Sequence, residues 1–116
     1  MTECAATFPR LVPKVWGAEI WLVNEPEYCC KMLRVNKGAC GSLHYHPAKK
    51  ETFILGVGKI ELRYGDKMIR MMAGPKAITI LPGVPHRFKA LKQSVIIEVS
   101  THHEDEDVVR LEVSKA

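Results

Sequence analysis

The chain has 116 residues, 47% hydrophobic and 26% charged, with a formal net charge of +4. This is the size and composition of one folded domain, and it excludes a second domain, a disordered chain and a collagen-like chain. The longest apolar runs, such as Ala77–Leu81, fall far short of the ~20 residues that span a bilayer. No basic-then-apolar leader opens the chain, so a soluble cytoplasmic protein with no membrane partner is expected. Residues 1–101 carry 15 Lys and Arg against 8 Asp and Glu, whereas residues 102–116 carry 2 against 5. The basic residues are scattered rather than clustered, so no nucleic-acid partner is expected. The four cysteines, Cys29 and Cys30 adjacent, have neither secreted-scaffold density nor paired C-x-x-C spacing, and read as reduced thiols that fill space.

In chain order, residues 1–13, with Pro9 and Pro13, form an N-terminal arm or edge strand, because proline removes a ladder donor. Residues 14–116 form the domain proper and end in an acidic segment. Strands are predicted over Tyr28–Val35, Gly41–His46, Thr52–Val57, Lys59–Tyr64, Lys67–Met72, Ala77–Leu81, Arg87–Leu91 and Ser94–Ser100. Asn36-Lys37-Gly38, Gly56-Val57-Gly58, Gly65-Asp66, Gly74-Pro75 and Pro82-Gly83 supply the backbone freedom or fixed φ of the intervening turns. His102-His103 and the following Glu104-Asp105-Glu106-Asp107 read as a solvated turn before a last strand or short helix over Val108–Val113. Roughly eight strands at this spacing, with no helical period, predict an all-β antiparallel barrel or sandwich.

The period of two places His44 and His46 on one face of their strand, with Leu43 and Tyr45 on the other. Cys40 shares the histidine face if no bulge intervenes. Glu51 opens the next strand within reach of the same space, and His86 follows the Pro82–Pro85 turn. Three neutral imidazoles and one carboxylate suit a divalent transition metal, here Zn, Mn, Fe or Ni, since imidazole is a borderline ligand and the carboxylate offsets part of the charge.

Gly38, five residues, His44-Tyr45-His46, four residues, Glu51, six residues and Gly58 reproduce the first motif of the cupin superfamily, which this chain resembles. The second motif is matched by Gly74, Gly83 and His86, with Leu81 where many members have proline and Ala90 where the pattern often ends in asparagine. The resemblance implies a cupin jelly-roll barrel, or double-stranded β-helix, with one metal held by His44, His46, Glu51 and His86. Trp16-Gly17, Glu19-Ile20-Trp21, Gly83–Phe88, Ile96–Val99 and Glu106–Glu112 are similar to the C-terminal module of type II mannose-6-phosphate isomerase/mannose-1-phosphate guanylyltransferase. That likeness implies a carbohydrate-related function such as sugar-phosphate isomerisation, in a free-standing relative of the module. Where those isomerases carry Arg-x-Glu-His-Trp, this chain has Lys49-Lys50-Glu51-Thr52-Phe53, which keeps the glutamate and loses a histidine able to move a proton.

Three chemistries fit the constellation: metal-dependent sugar isomerisation, a non-catalytic sugar or nucleotide-sugar binding module, and an iron-dependent oxygenase with Cys40 as a substrate contact. No catalytic residue is assigned. Arg87, Lys76, Tyr45, Phe53 and Phe88 are the substrate-contact candidates, with Arg34 and Arg63 able to meet a phosphate and Trp21 and Tyr64 as further wall residues. The ligand expected is a sugar or sugar phosphate. Exposed edge strands predict a homodimer.

Overall fold

Short apolar–polar alternation bounded by glycine and proline builds eleven strands among the described residues. The computed structural model describes Ala6 and residues 8–116. The strands are β1 (Arg10–Lys14), β2 (Gly17–Asn24), β3 (Cys29–Val35), β4 (Leu43–Tyr45), β5 (Glu51–Val57) and β6 (Lys59–Tyr64). They continue with β7 (Lys67–Met72), β8 (Ala77–Ile80), β9 (His86–Ala90), β10 (Ser94–Ser100) and β11 (Val109–Glu112). A six-stranded sheet in the order β1-β2-β3-β10-β5-β8 faces a five-stranded sheet in the order β11-β4-β9-β6-β7, and every pairing is antiparallel. Among the described residues no helix is long and apolar enough to cross a membrane.

Parity decides what each strand buries. On β5 Glu51, Phe53 and Leu55 face inward; on β9 His86, Phe88 and Ala90 do; on β10 Ser94, Ile96, Glu98 and Ser100 do. One end of the interior is apolar, built from Leu33, Val35, Leu55, Ile60, Leu62, Met71 and Ile96 around the Trp16–Phe88 edge-to-face pair, whose centroids are 5.1 Å apart. The other end is polar and opens to solvent. Gly41 lies so close to the Phe88 ring that an added Cβ would stand 2.8 Å from it, which lets the chain approach the core just before β4.

Two expectations change in detail. The expected arm is partly outside the described residues, but its end, Arg10–Pro13, is edge strand β1, paired to β2 with Arg10 opposite Trp21. The eight-residue β2 is a strand that sequence reading did not assign, and a register shift between Trp21 and Val23 breaks its alternation. Val109–Glu112 is a strand, the first of the two alternatives expected for Val108–Val113.

Candidate metal centre

Three elements bring the four expected ligands together. His44 and His86 are direct cross-strand partners on β4 and β9, His46 lies one residue past β4, and Glu51 opens β5 in the opposite sheet. Their ligand atoms all lie within 4.8 Å of one another, and this is the one such cluster among the described residues. Glu51, His86 and His46 are buried and His44 is partly exposed at the cleft.

Each imidazole is held from behind by a main-chain carbonyl. The Nδ1–H of His44 donates to Ser42 O at 2.9 Å, that of His46 to Asp107 O at 2.7 Å, and that of His86 to Val84 O at 2.9 Å. A carbonyl can only accept, so each ring carries a proton on Nδ1 and turns Nε2 toward the centre, which is how ligating histidines are oriented. Burial, with the neighbouring His86 and His46 rings, lowers the His44 pKa to about 3. Burial lowers His46 to about 4 against the opposing pull of Glu51. Burial would raise Glu51, but the His86 contact and the charge of Lys49 outweigh it and hold the carboxyl at about 2. His44 and His46 are therefore neutral imidazoles beside an ionised Glu51 carboxylate.

Glu51 Oε1 lies 2.7 Å from His86 Nε2 and 3.6 Å from His46 Nε2. The pair lacks the geometry of a hydrogen bond, so Glu51 Oε1 and His86 Nε2 are buried without a hydrogen-bond partner. Buried polar atoms left without a partner cost free energy, and a cation between them would remove that cost. The residues present thus fit a divalent transition metal.

Behind the cluster runs a second polar layer that sequence reading missed. Lys49 Nζ is 3.4 Å from Glu51 Oε2, 3.3 Å from Glu98 Oε2 and 3.3 Å from His103 Nδ1. Burial opposes the Lys49 charge, but Glu98 and Glu51 raise its pKa; burial and the charge of Glu51 raise that of Glu98. The fully buried Lys31 sits 3.5 Å from Glu19, and its Nζ lies 4.2 Å from the Trp21 ring centroid. Trp21 Nε1 donates to Glu19 at 2.8 Å. These side chains line an open cleft of about 780 Å³ that ends on His44, His46 and Glu51.

The other candidates divide. Phe53, Phe88 and Trp21 line the cleft, whereas Lys76, Tyr45 and Tyr64 do not. Arg87 is tied down, its Nε donating to Gly41 O at 2.8 Å and its guanidinium pairing with Glu112 at 3.3 Å. Arg63 pairs with Glu112 at 3.9 Å, and Arg34 lines a separate shallow pocket with Asn36 and Gln93. Cys40 is buried outside the cleft lining, bridging Lys89 and Lys115, so it does not share the histidine face. The acidic turn is less solvated than expected. Asp107 accepts from Ala48 N at 2.9 Å and Lys49 N at 2.8 Å, and His103 packs edge-on to Trp21 at 4.9 Å.

No family model and no curated protein matches the sequence. Solved structures do. A variant of Streptomyces PAC13 with uridine superimposes with a TM-score of 0.81 at 12% identity, covering 97% of this chain and 93% of that one. KdgF from Halomonas sp. gives 0.71 at 19% identity, over 77% of this chain and 82% of that one. Oxalate decarboxylase from Bacillus subtilis gives 0.78 at 15% identity, over 89% of this chain and 30% of that one. The chain has the cupin fold. It spans about a third of the oxalate decarboxylase, whereas it matches PAC13 and KdgF over most of their lengths. Within this cupin barrel the polar end of the interior is the part that departs from an apolar sandwich core, and it is where the histidines lie.

Proposed function

We propose that the protein is a metal-dependent cupin enzyme that binds a sugar or sugar derivative and moves a proton on it. The observation that carries this reading is the set of three Nε2 atoms, each aimed by an Nδ1–H bond to a main-chain carbonyl, facing the orphaned Glu51 oxygen at the buried end of a cleft. His44, His46, Glu51 and His86 would hold a divalent ion, which supplies Lewis acidity to a carbonyl or hydroxyl oxygen.

The chain's own residues do the rest. Glu98 lines the cleft beside the ligands, and burial with the charge of Glu51 raises the pKa of its carboxyl, the group we assign to take the proton and return it. Lys49 lies between Glu98 and Glu51 and holds both carboxylates in place. Phe53 offers apolar surface for the carbon side of a sugar ring, and Glu19, Lys31 and His103 along the cleft offer polar groups for its hydroxyls. Among the structures of similar fold, one is described as a capsular polysaccharide assembling protein, CapF from Staphylococcus aureus, and another as a nucleoside dehydratase, Pac13. Both descriptions are compatible with a polyol substrate. Aldose–ketose isomerisation of a sugar phosphate, as the mannose-6-phosphate isomerase resemblance implies, is the specific reaction this reading favours.

The test has two parts. Metal content of protein purified without a nickel column is expected to be near stoichiometric and to vanish in the His44→Ala/His86→Ala double variant; unchanged content removes the centre. Metal-loaded protein in deuterated water is then expected to exchange the C2 hydrogen of an aldose or its phosphate, followed by proton NMR. Saturable binding without exchange across the panel would replace the enzyme with a binding module.

A further inference from the structure

A single row of side chains crosses the inner face of the six-stranded sheet. Register sets Arg10 opposite Trp21, Trp21 opposite Lys31, Lys31 opposite Glu98, and Glu98 opposite Phe53. Charge inside this row is matched, Lys31 by Glu19 at 3.5 Å and Glu98 by Lys49 at 3.3 Å. Arg10, at the solvent end, has only a longer-range counter-charge, its guanidinium helping His103 to lower the pKa of Asp105. Its guanidinium carbon lies 4.8 Å from the Trp21 ring centroid, and it makes no ion pair with a carboxylate among the described residues. Stacking on an aromatic face fixes a guanidinium while leaving its edge donors available.

The facing sheet supplies a second such residue. Arg110 on β11 stands opposite the metal-ligand candidate His44 on β4, is exposed, lines the same cleft and likewise has no carboxylate partner among the described residues. The lining as a whole carries five Lys and Arg side chains against four carboxylates, and a divalent ion in the centre would widen that excess. Asp105, the largely solvent-exposed carboxylate of the lining, is engaged by His103 Nε2 at 2.9 Å. A concave surface with surplus positive charge concentrates anions.

We propose that Arg10 and Arg110 form an anion-recognition pair at the mouth of the cleft, selecting a sugar derivative that carries a phosphate or carboxylate group. The anionic end meets the two guanidinium groups, which match either oxyanion with two parallel hydrogen bonds, and the hydroxyl or carbonyl end reaches the histidines. The cleft volume of about 780 Å³ lies within the range of pockets that enclose ligands of this size. The inference rests on the metal-centre reading for the far end of the substrate.

The test is calorimetric titration of the metal-loaded full chain with glucose, glucose 6-phosphate and glucuronate. At least one anionic sugar is expected to bind tenfold or more tightly than glucose and to weaken as sodium chloride is added. Arg10→Gln and Arg110→Gln are each expected to weaken it by about tenfold, the scale of a lost charge-assisted hydrogen bond, with glucose binding and metal content unchanged. Tighter binding of the phosphate names a phosphate ester as the class recognised, and tighter binding of glucuronate names a sugar acid. Equal binding of all three sugars, no binding of any, or indifference to both substitutions overturns the pair. Metal content measured in the same samples separates this result from failure of the centre, which would show as metal content indifferent to His44→Ala/His86→Ala.

Discussion

Acid should destabilise the metal-free protein well above the pH at which its carboxylates titrate. His44 and His46 have pKa values of about 3 and about 4 in the folded protein, against 6.5 in the unfolded chain. Between those values the unfolded chain binds protons that the folded state refuses, so stability falls as pH falls from about 7. Integrating for each histidine from pH 7 to pH 5 gives about 2 kcal/mol, and about 4 kcal/mol for the two together. His103, also lowered by burial, acts in the same direction. Glu98 opposes it, because a carboxyl raised by burial takes up its proton in the folded state first. A difference measurement removes that offset. Urea unfolding of chelator-treated wild type and His44→Gln at pH 7, 6 and 5 is expected to show the gap between them closing or reversing by about 2 kcal/mol toward the variant as pH falls. A gap that stays constant across this range would refute the desolvated, neutral imidazole at His44.

The remaining expectations concern parts around the centre. Glu98→Gln should keep metal content and abolish C2 hydrogen exchange; full exchange in this variant would remove Glu98 from the proton transfer. Lys49→Met should lower the metal-free protein's stability by about 3 kcal/mol in urea, since it leaves Glu51 and Glu98 buried without their cation, and adding Glu98→Gln should recover part of that loss. Asp107→Ala should weaken metal binding by about tenfold in a chelator competition, because its carboxylate anchors Ala48 N and Lys49 N while its carbonyl orients His46. Gly58→Ala should cost about 2 kcal/mol or more in the same unfolding assay. Gly58 has φ +97°, and a Cβ there would meet Ser94 Oγ at 2.2 Å and Gln93 O at 2.5 Å.

Much of this was readable from residue order. The alternation around His44-Tyr45-His46 and the turn before His86 give the four-residue cluster, and the predicted strands from β3 to β10 agree with the observed ones to within a few residues at each end. The second polar layer was readable in principle, because Lys31 and Glu98 occupy inward positions of Cys29–Val35 and Ser94–Ser100, and a charge at an inward position must find a partner. Which partner it finds depends on the lateral order β2-β3-β10-β5, and strand order is not encoded in any one strand. Arg10 and Arg110 are further still from local signals. They come from the first and last strands, and only the closure of both sheets brings them to one cleft. Cys40 shows the limit of parity: Cys40 and Gly41 precede the ladder of β4, so alternation counted back from His44 does not hold there.

The four ligand candidates also divide between the layers. His44 and His86 sit on strands of the five-stranded sheet, with His46 just beyond β4, while Glu51 belongs to the six-stranded one. Apolar side chains pressed between two sheets resist separation but have little directional preference, so they oppose sliding only weakly. Coordination bonds have fixed lengths and directions. An ion held by all four residues would therefore act as a registration pin between the layers, setting their offset as well as their distance. Loading the centre should slow amide exchange in β4, β5 and β9 together, although these strands are split between the two sheets, and leave the edge strand β7 exchanging at its former rate.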